Sequence, residues 1–340
     1  MGNDSTLNSD SSCFLNGSFV RDFFEMHLHK LNLSGCRILN CEVNPLRSKR
    51  RKPAIEFNLS IQNKEEFISK KFIGKWSSDD RGNEVFDLLR EIWQKRYMEN
   101  DNLKICEPIA YFPDYNFMLT TKACGLELGK VLKQDDVSLL DIYVRQAAKW
   151  LAKLHSINLT VGDIYNMQVE EEKFKKWYNH LSWLYPDFTE KIQNMLYCVL
   201  DNQRSLNPAY FTLIHGDFNP NNIFVDGNDI TVIDFEDSCI FDPAQDLGYF
   251  VAKLLSAKRK YHLSLDVDSL EKIFLCTYNE ELSTSKISID PLRRVNLYKA
   301  RSYLKHLHSR YWTGRNSRDP DPVDCKFWLD KVEECLQNYQ

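Results

Sequence analysis

Between Leu213 and Asp237 the chain carries polar residues at spacings that suit phosphoryl transfer. The run reads His215-Gly216-Asp217-Phe218-Asn219-Pro220-Asn221-Asn222, and Asp234 follows within Thr231-Val232-Ile233-Asp234-Phe235-Glu236-Asp237. Moving a phosphoryl group to a hydroxyl needs a carboxylate that accepts or orients the hydroxyl proton, a task that suits Asp217. It also needs a cation to hold the phosphates. Mg²⁺ keeps several of its waters and takes few protein oxygens, so one amide and one carboxylate, Asn222 and Asp234, suffice. Taken singly, each of these residues would be an ordinary cap or turn former. Five specified residues at fixed offsets make a far more specific pattern.

Two apolar runs flank these residues. Ile223-Phe224-Val225 and Ile230-Thr231-Val232-Ile233 read as short strands, with Asp226-Gly227-Asn228-Asp229 as the turn between them. Such a hairpin brings Asn222 and Asp234 to the same end of its strands.

The rest of the chain supplies two kinds of scaffold. Residues 1–17 are rich in Ser, Asn and Asp and are expected to be disordered. Residues 18–121 read as a β-rich N-lobe: a helix near 20–31, strands near 37–43, 54–62 and 67–73, a helix over 83–97, and strands at 109–112 and 117–121. A basic segment, residues 47–52, joins the first two strands; such a run is more often a solvated loop than a ligand site. Residues 122–340 read as a mainly helical C-lobe that holds the polar loop and the hairpin. Its helices are expected near 139–157, 170–183, 188–201, 246–258, 268–282, 291–311 and 322–337. The fold class is therefore α+β, with two lobes.

Bulk properties exclude several classes. A chain of 340 residues with a formal net charge of −4 gives no sign of a nucleic-acid or anionic-membrane partner. No run is long enough to span a bilayer, and Met1–Asn8 lacks the charged and apolar regions of a secretory signal. The ten cysteines are scattered without metal spacing and read as reduced thiols in a cytoplasmic protein.

The motif His-Gly-Asp-x4-Asn followed by Ile-Asp resembles the aminoglycoside phosphotransferase and choline kinase superfamily, small-molecule kinases with the protein-kinase-like fold. The resemblance spans roughly residues 37–312 and is strongest over Leu213–Phe250. It implies ATP as phosphoryl donor, Mg²⁺ as cofactor and a small hydroxylated molecule as acceptor. Within it, Asp217 matches the catalytic base, and Asn222 and Asp234 match the metal ligands. His215 and Asp246 match structural supports of the loop, with His215 as base the lesser alternative. In Phe67-Ile68-Ser69-Lys70-Lys71-Phe72, Lys70 is the favoured match for the phosphate-binding lysine and Lys71 the alternative. Glu84 would pair with that lysine, and Glu91 is a weaker candidate. Thr120 to Lys122 stand where the family's linker contacts adenine through its backbone. No Gly-x-Gly-x-x-Gly loop is present, which counts against a conventional protein kinase.

Completeness of the polar set favours an enzyme over a non-catalytic nucleotide-binding scaffold. A Ser/Thr protein kinase is less favoured still, because no Ala-Pro-Glu segment follows Asp234. The acceptor is poorly defined. Residues 157–208 hold seven acids against five lysines and arginines, a weak balance for a polycationic aminoglycoside. Glu236 and Asp237 are candidate acceptor contacts. Trp177, Tyr178, Trp183 and Tyr185 could wall a quaternary amine, although helical spacing favours core for them.

Overall fold

The computed structural model describes residues 12–46, 54–77, 81–97, 102–134, 139–157, 162–284, 290–312 and 321–339. It separates into two compact units, Met1–Cys124 together with Thr231–Ile233, and Gly125–Ile230 together with Asp234–Gln340.

In chain order the first unit contains α1 (Gly17–Met26), β1 (Arg37–Leu46), β2 (Ala54–Asn63), β3 (Glu66–Trp76), α2 (Gly82–Ile92), β4 (Leu103–Ile105), β5 (Pro108–Phe112) and β6 (Phe117–Thr121). Five of these strands form an antiparallel sheet in the order β1-β2-β3-β6-β5. Strand β2 shows why. Ile55, Phe57, Leu59 and Ile61 alternate along it and are all buried, so one face of the strand must be covered. That cover is α1, whose Val20, Phe23 and Phe24 pack with Phe57, Phe72, Trp76, Phe112 and Phe117.

The expectation of disorder up to residue 17 fails at its end. Ser12–Leu15 forms a 3₁₀ turn, Phe14 is fully buried, and Asn16 caps α1 by accepting from the Ser18 and Phe19 amides. Polar composition around Phe14 hid a single aromatic anchor with five ring partners within 5.4 Å. The helix also starts earlier and stops five residues sooner than periodicity suggested, at Met26. The basic segment 47–52 lies outside the described residues.

The remaining elements are β7 (Leu126–Glu127), α3 (Leu128–Lys133), α4 (Leu140–His155), α5 (Met167–Leu184), α6 (Thr189–Arg204), β8 (Thr212–Ile214), β9 (Ile223–Asp226), β10 (Asp229–Val232), β11 (Cys239–Phe241), α7 (Ala244–Tyr261), α8 (Val267–Ser283), α9 (Val295–Trp312) and α10 (Pro322–Gln337), all in the second unit except Thr231 and Val232 of β10. The β9–β10 hairpin turns at Gly227, whose φ of +58° is costly for other residues, and β7 pairs along the far side of β9. Helix α4 braces the turn: Gln146 Nε2 donates to the Asn228 carbonyl at 2.6 Å.

The helical core joins α5, α6, α7, α9 and α10. Trp177 and Tyr185 belong to it, Tyr178 packs against it, and Trp183 is exposed, so the four aromatics do not form one wall. At its centre lies a buried ion pair. Arg301 on α9 grips Glu170 on α5 through two hydrogen bonds, one of them Nη2 to Oε2 at 2.8 Å, and the Tyr165 hydroxyl also donates to Glu170.

Burial alone would raise the Glu170 carboxyl. The Arg301 guanidinium outweighs it and holds the group down at about 2, from 4.5. With the folded value below the unfolded one, this contribution is complete above about pH 4.5 and is lost as pH falls toward 2. Removing one partner leaves the other charge buried, so Arg301→Met is expected to cost about 3–5 kcal/mol. Chemical denaturation will show the loss, and the double variant Arg301→Met with Glu170→Met should recover most of it.

Candidate active site

The polar loop between β8 and β9 is held by one buried carboxylate. Asp246, on the first turn of α7, accepts the His215 amide at 2.6 Å and the Gly216 amide at 2.9 Å. His155 Nε2, at the end of α4, lies 3.3 Å from the same carboxylate, and its Nδ1 lies 2.8 Å from the Tyr278 hydroxyl. Asp246 does not cap its own helix. Asp242 does that, by accepting the Ala244 amide at 3.1 Å while Arg294 holds it from the other side.

Gly216 has φ +79°, and a Cβ there would meet the Asp237 carbonyl at 2.1 Å, so both backbone geometry and space require glycine. His215 is fully buried among Trp150, Phe218 and Phe235, and Trp150 stacks on Phe218 at 5.6 Å. An imidazole so enclosed orients the loop; its Nδ1 accepts the Asp217 amide at 3.3 Å.

Asp217 is thereby presented with both carboxylate oxygens engaged. The Tyr249 hydroxyl donates to Oδ1 at 2.9 Å, and Asn222 Nδ2 donates to Oδ2 at 3.0 Å. Asn222 Nδ2 also reaches the Asp217 carbonyl at 2.9 Å. With its amide nitrogen so committed, Asn222 has Oδ1 as the end that can face a cation. Asp234 stands just past the hairpin in the left-handed region, φ +76°, which is uncommon for a residue with a side chain and marks a backbone held for a purpose. Among the described residues no three His, Cys, Asp or Glu side chains form a metal cluster. An amide and a carboxylate completed by waters and phosphate oxygens fit Mg²⁺ without one.

In the first unit the strand register separates the expected lysine from its expected partner. Cross-strand partners share a sheet face, and Lys70 lies opposite Leu59, a core residue on the face that α1 covers. Helix α2 packs on the other face, where Phe86 stacks on Tyr111 at 6.0 Å. Register carries that face from Tyr111 to Met118 to Lys75, with Lys71 four residues earlier. Lys70 and Glu84 therefore lie on opposite sides of the sheet, and Glu84 is exposed at the start of α2. Glu91, on the same helix, is mostly buried and lies 2.6 Å from Lys95. Ser69-Lys70-Lys71-Phe72 resembles the family's strand locally, while Lys75 stands four residues past Lys71 on the same face.

The linker expectation changes too. Thr120 pairs with Ile73, the Thr121 amide donates to the Glu107 carbonyl, and the Lys122 amide donates to the Lys71 carbonyl. Lys122 Nζ lies 2.8 Å from Glu56. Both amides and the ammonium are committed within the sheet. Glu236 is half-buried and Asp237 exposed, immediately after Asp234.

Residues 79–260, more than half of the chain, match the sequence pattern of the phosphotransferase enzyme family. The chain belongs to that family. This phosphotransferase also matches solved structures of the protein-kinase-like fold. An amicoumacin kinase in complex with AMP-PNP and Ca²⁺ shares 12% identity and a TM-score of 0.59, over 97% of this chain and 96% of that one. A choline kinase from Cryptosporidium parvum shares 17% identity and a TM-score of 0.56, over 88% of each chain. The ADP-bound aminoglycoside phosphotransferase APH(2'')-Ib shares 17% identity and a TM-score of 0.54, over 93% of this chain and 97% of that one. No curated protein matches it by sequence. At these identities the structural likenesses establish the fold. Among the described residues no helix of the phosphotransferase is long and apolar enough to cross a membrane.

Three supporting residues escaped the sequence reading: Tyr249, His155 and Tyr278. Tyr249 follows Asp246 by one helical turn, a spacing that puts both on one face of α7 and could have flagged it. His155 lies within the helix expected near 139–157, and helical periodicity does not single it out. Replacing Asp246 by Ala strands two buried amides, at about 1–3 kcal/mol each. Asp246→Ala is expected to lower the melting temperature measurably before any kinetic effect is assessed; full stability with lost turnover would contradict a supporting role.

Proposed function

We propose that this phosphotransferase transfers the γ-phosphoryl of ATP to a hydroxyl of a small molecule. The observation that carries the reading is the Asp217 carboxylate, held on one oxygen by Tyr249 and on the other by Asn222. A carboxylate fixed this way can receive and aim an acceptor hydroxyl at an in-line phosphorus. Asn222 Oδ1 and the Asp234 carboxylate would hold Mg²⁺, which when bound would supply charge to offset the phosphates. Asn222 thus ties the base to the metal site: one end of its amide positions Asp217 and the other is available to the cation.

For the phosphate-binding lysine we favour Lys75 over Lys70, because Lys75 shares the sheet face covered by α2. Lys71 shares that face but is exposed. Main-chain groups of Ala123 and Cys124, just beyond the committed Lys122 amide, are the adenine contacts this reading requires. A non-catalytic scaffold would have no need of a doubly anchored base.

Two sets of variants test the reading by Mg²⁺-ATP-dependent ADP release over a panel of hydroxylated acceptors. Asp217→Asn is expected to reduce turnover by about 10³-fold or more with ATP affinity nearly unchanged; a variant that keeps most of the rate removes Asp217 as base. Lys75→Met should raise the KM for ATP or lower kcat at least tenfold, while Lys70→Met leaves both near wild type. The reverse pattern would restore Lys70.

A further inference from the structure

The two helices that frame Asp217 from below carry an unusual charge arrangement. On α7, Tyr249 and Lys253 are one turn apart. On α9, Arg301 and Lys305 are likewise one turn apart. The Tyr249 ring, whose hydroxyl donates to Asp217, has the Lys305 ammonium 4.6 Å and the Lys253 ammonium 4.9 Å from its centroid. Arg301 is fully occupied by Glu170. Lys173 on α5 leans on the same group, 3.2 Å from the Tyr165 hydroxyl and 3.8 Å from Glu170.

Lys305 differs from its neighbours. Among the described residues it has no carboxylate within ion-pairing distance, and its recorded partner is an aromatic ring. A lysine ammonium withdrawn from water is costly unless an anion meets it. Burial pulls Lys305 down to about 8, while Asp217 and, more weakly, Asp237 draw it back up. It stays largely protonated at neutral pH, a half-buried cation with no direct counter-ion among the described residues.

No acid nearby meets the ammonium in direct contact, although the Asp217 charge acts on it. Asp217 is bound by Tyr249 and Asn222, Glu170 is bound by Arg301 and Tyr165, and Asp237 is exposed. A polycationic acceptor would add charge of the same sign beside Lys253 and Lys305.

We propose that the acceptor carries an anionic group, a carboxylate or a phosphate, which seats against Lys305 and Lys253 while its hydroxyl meets Asp217. The inference rests on the phosphotransferase reading of Asp217 and names the acceptor class for that site. Tyr249 links the two functions, since its hydroxyl orients the base and its ring is the floor on which both ammoniums lie. A hydroxy acid or a phosphorylated polyol would satisfy this geometry; an aminoglycoside or choline would not.

The test compares matched acceptors in the full-length protein: hydroxy acids and sugar phosphates against their amides and unphosphorylated counterparts, with kanamycin and choline as cations. Binding is read by thermal shift or calorimetry, and phosphorylation by ADP release, in wild type, Lys305→Met and Lys305→Arg. We expect an anionic acceptor to bind and to be phosphorylated in preference to its neutral partner. In Lys305→Met its KM should rise about ten- to a hundredfold with the KM for ATP unchanged, and Lys305→Arg should retain most of the wild-type value. Lys305→Met should melt no lower than wild type, which separates lost recognition from lost folding.

Equal or better use of neutral or cationic acceptors would overturn the inference and leave the phosphotransferase reading intact. A Lys305→Met effect confined to the KM for ATP would also overturn it, by assigning the ammonium to the nucleotide. Binding of anionic compounds that depends on Lys305, without ADP release from any acceptor, would instead support the anion site and defeat the phosphotransferase reading. Carboxylate and phosphate arms are scored separately, so the preferred anion is identified by the same experiment.

Discussion

A buried carboxylate that accepts hydrogen bonds from a loop backbone is the constraint on which this site depends. Asp246 leaves water entirely, and the amides of His215 and Gly216 together with His155 compensate it. Those amides belong to a turn with a left-handed glycine, a geometry that would open without a fixed acceptor beneath it. The order of dependence runs from α7 upward: Asp246 fixes the turn, the turn fixes the Asp217 backbone, and Tyr249 and Asn222 then fix its carboxylate. His155 and Tyr278 extend the network to α4 and α8, so helices far apart in sequence hold one loop. Because every member is partnered, such a polar network rigidifies instead of weakening the core.

The same logic explains the separation of charges in the helical unit. Glu170 and Arg301 neutralise each other inside the α5–α9 contact. One turn along α9, Lys305 has no such partner among the described residues and lies over the ring that serves the base. The helical repeat thus gives one helix a cation paired inside the core and, four residues later, a cation with no direct carboxylate partner among the described residues. Acids counted along residues 157–208 overstate the negative character of this region, since Glu170, one of the seven, is spent inside the core.

Motifs with short internal spacing were legible from the chain alone. The hairpin turn at Gly227, the loop from His215 to Asn222, and the long amphipathic helices all follow from local rules of turn chemistry and periodicity. Local rules failed where a contact came from elsewhere in the chain. Phe14 lies in a polar tail, yet it anchors that tail because α1 and the sheet close around it. Lys70 resembles the expected residue in its immediate neighbours, but register against β2 and β6 gives the α2 face to Lys71 and Lys75.

Sequence by itself determined the class of chemistry: a carboxylate, an amide and a second carboxylate at offsets that a loop and hairpin convert into neighbours. That information is local, carried by residue type and by spacings of a few residues. Tertiary structure alone decided how Asp217 is held, which side of the sheet each lysine occupies, and which cations are spent on internal pairs. Those outcomes depend on strand register, on helix phase and on burial, each set by contacts between distant segments such as Glu170 and Arg301, 131 residues apart. A single strand or helix read in isolation has no means of expressing them.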